Sequence, residues 1–121
     1  MKHLINWVEI PVTNMQRAKS FYSTILGVTL NTMEMGGTEY ALFPSEDKFN
    51  SGALVHGEYY KPGPDGIVIY LNGGKDLNHI LKKVNDDGGE VITEKMFLST
   101  EAGHIGMFID SEGNKIGIQN M

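Results

Sequence analysis

One carboxylate near the start of the chain stands out by its company. Residues 6 to 12 read NWVEIPV, and in a strand side chains alternate between faces, so Trp7, Glu9 and Pro11 share one side while Asn6, Val8, Ile10 and Val12 share the other. The second set suits packing. The first places a carboxylate beside an indole, where Glu9 can accept hydrogen bonds or take a proton and Trp7 can stack on a planar or cationic surface. Burying that carboxylate without a partner is costly, so a neighbouring donor is expected. Tyr70, in the run GIVIYLN, alternates with Ile69 and Leu71 and offers a phenol for the same side as Gly66 and Val68. Tyr40, in EYALF, is a second phenol of this kind.

Histidines raise the question of a metal. His3 stands near a terminus, and His79 falls between apolar helix positions and is read as solvent-facing. His56 and His104 fall on strands in opposite halves, and with Glu9 or Glu58 they would make two histidines and a carboxylate, a set that suits Fe(II). Their spacing gives that site no support. There is no cysteine, so thiolate ligands, thiolate nucleophiles and disulfides are all excluded. The run DSEGNKIGI holds acids, yet Asp110, Ser111, Gly113 and Asn114 are the residues a tight hairpin needs. NGGK, from Asn72 to Lys75, lacks the spacing of a phosphate loop and reads as a strand-to-helix connection. Met33, Met35, Met96 and Met107 are candidates to line an adaptable apolar cavity.

The elements that must position these residues come in two similar sets. In TNMQRAKSFYSTILGVTL, apolar residues recur at Met15, Ala18, Phe21, Tyr22, Ile25 and Leu26, the spacing of an amphipathic helix. Thr13 and Gln16 predict a capping box at its start and Gly27 its stop. KDLNHILKKVNDDGG repeats the plan with Leu77, Ile80, Leu81 and Val84 on one face, Asp76 as cap, and Gly88 and Gly89 at the end. Asn14 to Gly27 and Asp76 to Gly89 cover the same length of chain. Each helix follows one strand candidate and precedes three, VTLNTM, EYALF and GALVH in the first half, EVITEKMF, HIGMFID and KIGIQNM in the second. The sequence therefore predicts an α+β fold of two βαβββ modules with mixed sheets, one over about 1–58 and one over about 64–121. YYKPGPDG joins them, and its prolines and glycines continue neither strand nor helix. Two such sheets can curl together with helices outside and a cavity inside.

Composition narrows the partners. At 121 residues the chain is read as one domain, burying roughly 65% of the surface its unfolded form exposes. Ten Lys+Arg against 15 Asp+Glu give a net charge of −5, with no basic cluster beyond Lys82 and Lys83, which argues against nucleic acid. No apolar run approaches the ~18 residues of a membrane span, and MKHLINWVEI lacks the apolar stretch of a signal peptide. A cytoplasmic location is expected. Gly supplies 15 residues, enough for many tight turns between short strands.

The segments EIPVTNMQRAKSFYSTILGV, YLNGGKDLNHILKKVNDDGGEV and FIDSEGNKIGI, in that order across nearly the whole chain, resemble the vicinal oxygen chelate superfamily of glyoxalase I, bleomycin-resistance proteins and extradiol dioxygenases. The resemblance implies half-barrels, often completed in a homodimer, each enclosing a ligand cavity on its concave sheet. It also implies divalent-metal ligands at positions corresponding to Trp7, Leu54, Gly66 and Gly117, none of which coordinates a metal through its side chain. A metal-free cavity is thus expected, with Trp7, Glu9, Tyr40, Leu54, His56 and Tyr70 contacting a small organic ligand. As a metal-independent lyase or isomerase, Glu9 would take a proton from a carbon beside a carbonyl and Tyr70 would donate. The alternative is a metal-dependent glyoxalase-type lyase or dioxygenase with relocated ligands. A further alternative is a regulatory module whose strand edges bind a protein.

Overall fold

The computed structural model describes residues 4–46 and 52–120. His3 lies outside the described residues. The chain runs β1 (Val8–Pro11), α1 (Met15–Leu26), β2 (Asn31–Met35), β3 (Thr38–Leu42) and β4 (Gly52–His56). It then repeats the order with β5 (Tyr70–Asn72), α2 (Leu77–Asp86), β6 (Glu90–Ser99), β7 (Gly103–Ile109) and β8 (Lys115–Asn120). Each set forms a four-stranded mixed sheet, in the orders β1-β4-β3-β2 and β5-β8-β7-β6, with one parallel pair and two antiparallel pairs. The architecture is two βαβββ modules of an α+β fold.

The helices form where the apolar spacing places them, and each lays its stripe on its own sheet. Ala18, Phe21, Tyr22 and Ile25 of α1 meet Ile10, Ala41 and Leu54, while Leu77, Leu81 and Val84 of α2 meet Phe108, Ile116 and Ile118. Gly27 ends α1 at φ +65°, the left-handed cap that glycine reaches without steric cost. At the other end Asn14, not Thr13, is the cap, because its side chain accepts the Arg17 N–H at 3.0 Å. The N–H groups of Thr13 and Asn14 instead donate to Glu112 Oε1 at 2.9 and 2.8 Å, so a carboxylate from the far end of the chain replaces the expected capping box. Asp76 caps α2 by accepting from His79 N–H.

The DSEGNK segment is the tight β7–β8 turn, and its acids are structural. Asp110 Oδ1 accepts the Glu112 and Asn114 N–H groups at 2.8 and 2.9 Å, closing the turn. Its other oxygen accepts the Tyr22 hydroxyl at 2.6 Å across the modules. Burial first, then the Asp110 charge, pushes the Tyr22 hydroxyl pKa well above the usual phenol value. Glu112, with a fully buried side chain, is held by Arg17 at 2.7 Å and by Ser111 Oγ. Burial works to raise the Glu112 pKa, but the bonds from Arg17, Asn14, Ser111 and Thr13 overcome it and bring the carboxyl down to about 2. Asn114 completes the junction by donating to the Pro11 carbonyl at 2.8 Å and accepting from Gly63 N–H at 3.0 Å. This polar knot fixes the end of β1 against the start of β8.

Candidate functional site

β1 is an outer strand of its sheet, and a cavity lies along it, walled on the far side by the connector up to Ile69 and by the start of β8. It measures about 520 Å³, within the ~300–1,000 Å³ of ordinary ligand sites. Ile5, Trp7, Glu9, Ile67 and Ile69 supply its walls, and Lys61 and Asp65 enter from the connector between the modules. Ile67 is 91% exposed, an unusual state for an isoleucine beside a cavity.

Glu9 is one of the polar residues on the wall of this cavity, with Lys61, Asp65, Asn114 and Lys115. The strand alternation read from NWVEIPV places Trp7 and Glu9 together, and the indole Nε1–H donates to Glu9 Oε2 at 3.2 Å. The Tyr60 hydroxyl donates to the other oxygen, Oε1, at 2.8 Å. That bond is the main reason the Tyr60 pKa is pushed up to about 12; desolvation and the Glu9 charge add to it, and Tyr40 contributes a smaller part. Trp7, Glu9, Tyr60 and Tyr40 thus form one cluster. Tyr60 belongs to YYKPGPDG and reaches Glu9 because the connector turns tightly, its N–H bonding the Gly57 carbonyl at 3.2 Å. A Cβ on Gly57 would stand 3.1 Å from Thr38 Oγ1, so a side chain there would crowd the turn against β3.

The remaining candidates are dispersed. Tyr40 pairs with Val55 across β3 and β4, and Glu9 pairs with Ala53 across β1 and β4, so both stand on the face of the first sheet that carries no helix. Leu54, expected on the cavity wall, points the other way: it pairs with Ile10 and Ala41 and is completely buried in the core beneath α1. The residues of β4 on the helix-free face are Ala53 and Val55. His56 shares the Leu54 parity, and its Nδ1 lies 3.1 Å from the Val12 carbonyl, which ties it to the backbone rather than to Glu9. Tyr70 pairs with Gly117, and a Cβ on that glycine would collide with the ring, so the tyrosine lies flat over it and is 43% exposed. Tyr70 does not line the cavity, and the phenol on Glu9 is Tyr60. Met33, Met35, Met96 and Met107 do not line it either.

The positions corresponding to Trp7, Leu54, Gly66 and Gly117 offer no side-chain ligand, and both oxygens of Glu9 already accept hydrogen bonds from Tyr60 and Trp7. His56 and His104 fall on the helix-side faces of different sheets, where His104 packs edge-on against Phe97 at 5.4 Å. Among the described residues no three of His, Cys, Asp and Glu group closely enough to hold a metal ion. No helix among them is long and apolar enough to cross a membrane.

Residues 4–118 match the family described as the Glyoxalase/Bleomycin resistance protein/Dioxygenase superfamily. The chain belongs to this superfamily. No curated protein matches the sequence. Among solved structures, the hypothetical protein SA1046 from S. aureus is similar over 100% of this chain and 95% of its own, with a TM-score of 0.69 and 16% identity. TnmS3, an antibiotic binding protein from Streptomyces sp. CB03234, is similar over 99% and 96%, with a TM-score of 0.64 and 21% identity. A glyoxalase I mutant from Zea mays matches 94% of this chain with 44% of its own, at a TM-score of 0.67 and 19% identity. At these identities the likenesses establish the superfamily fold.

Proposed function

We propose that this superfamily member is a cytoplasmic, homodimeric protein that binds a small organic molecule in the cavity beside β1 without a metal. The observation that carries the reading is Glu9, held by Trp7 and Tyr60 on the wall of a mainly apolar cavity of about 520 Å³. A few convergent polar groups in an apolar cleft is the usual form of a ligand site. The antibiotic-binding role printed for TnmS3 agrees with it. The donor set described above supports independence from metal. Half-exposed Met33, Met35 and Met96 support a partner subunit over the open sheets. The absence of cysteine agrees with a reducing compartment.

The same carboxylate can also take a proton from a carbon next to a ligand carbonyl, as a lyase or isomerase step requires. In that form Tyr60, rather than Tyr70, is the phenol within reach. Trp7 is the only tryptophan, so its indole N–H gives a single NMR signal from inside the site. A screen of small aromatic fragments should shift that signal saturably. Shifts confined to the smaller cleft lined by Leu26, Phe43, Leu71 and Ile80, or no shifts at all, would overturn the reading.

A further inference from the structure

We infer that Glu9 is the recognition anchor for a flat cation with two neighbouring N–H donors, an amidinium or an amino-substituted nitrogen heterocycle, lying against Trp7. The inference rests on the small-molecule reading above and names its ligand class. Each Glu9 oxygen is held from the protein side by one neutral donor, Trp7 N–H at 3.2 Å and Tyr60 O–H at 2.8 Å. A carboxylate oxygen accepts about two hydrogen bonds, so one acceptor position remains on each. Two acceptor positions on a carboxylate whose orientation is already fixed match a pair of parallel N–H donors, the geometry of bidentate amidinium and guanidinium recognition.

Charge points the same way. Among the described residues Glu9 has no ion-pair partner within 4.0 Å, the ion pair there being Arg17 with Glu112. Lys61, Lys115 and Asp65 line the same cavity, and neither ammonium reaches Glu9. A carboxylate that no ammonium of the cavity pairs with gains from a ligand that brings a cation to it. Trp7, 39% exposed, supplies a ring face that attracts a flat cation and stacks on it. The net charge of −5 adds a field that draws cations toward the protein. The competing occupant is an anion held by Lys61 and Lys115.

Benzamidine, benzamide and benzoate share one ring and differ in charge, so titrating each while following Trp7 fluorescence separates these occupants. Benzamidine should bind at least about tenfold more tightly than benzoate, and Glu9→Gln, with its fold checked by circular dichroism, should remove that preference. Benzoate binding as tightly or more tightly, or equal affinity for all three, overturns the cation class while leaving small-molecule binding in place. Silence from all three at millimolar concentration also overturns it, and the indole NMR screen then reports separately on whether the cavity binds small molecules.

Discussion

Glu9 and Glu112 are two glutamates with opposite duties. Glu112 is buried, paired with Arg17 and bonded by two backbone N–H groups, so its charge is spent on joining the modules. Glu9 takes only neutral donors and keeps acceptor capacity facing the cavity. Their pH behaviour separates them. The Glu112 carboxyl sits at about 2 in the fold against 4.5 for a free glutamate, so the folded state favours its charged form. The stability it contributes is complete above the unfolded value and is lost as pH falls toward the folded one. Thermal midpoints followed from about pH 5 down to about pH 2 should therefore drop more steeply for the native chain than for Glu112→Gln. Equal slopes would contradict the assignment. Neither the depth of Glu112 nor its reach to the start of α1 was legible in DSEGNK, where the turn chemistry was plain and the contact with Thr13, Asn14 and Arg17 spans nearly the whole sequence.

Among the elements, those with a period were readable and those without one were not. Both helices and the two-module order follow from apolar spacing and from Gly27 and Gly88, because burying one stripe fixes a helix face. The strand pairing of Trp7 with Glu9 was readable from alternation for the same reason. Leu54 was misplaced because a one-residue change of parity sends a strand residue to the other face, and the four residues from Gly52 to Val55 are all apolar, so none of them marks which face meets the helix. Tyr60 was missed because YYKPGPDG has no periodicity, and only the tight turn at Gly57 brings it to Glu9. The glycines facing β1 and β5 offer a test of this strand-level picture. A methyl on Gly52 would overlap the Val8 carbonyl oxygen in the β1–β4 ladder, where backbone must move. A methyl on Gly117 would meet the ring of Tyr70, a half-exposed side chain free to swing aside. Gly52→Ala should therefore cost about 1–3 kcal/mol in urea denaturation and Gly117→Ala under about 1 kcal/mol. The reverse order would contradict the placement of β1 against β4.

At the scale of the whole molecule, the modules are joined at one end by the Asp110, Glu112 and Asn114 knot, and the cavity beside it is formed by β1, the connector and the start of β8. The superfamily fold was legible because its segments recur in order along the chain. What occupies the cavity was not, since that depends on the connector, on the two donors that orient Glu9, and on cavity shape. In the function proposed here, this cavity takes an organic ligand in place of the superfamily's metal, in a homodimer. Native mass spectrometry of protein purified without chelator or affinity metal, then exposed to Ni²⁺, Zn²⁺ and Fe²⁺ in turn, measures subunit number, metal and retained organic mass together. Two chains with no stoichiometric metal are expected in each of these conditions. One metal ion per chain would contradict it and return His56, His104 and the glutamates to consideration as ligands.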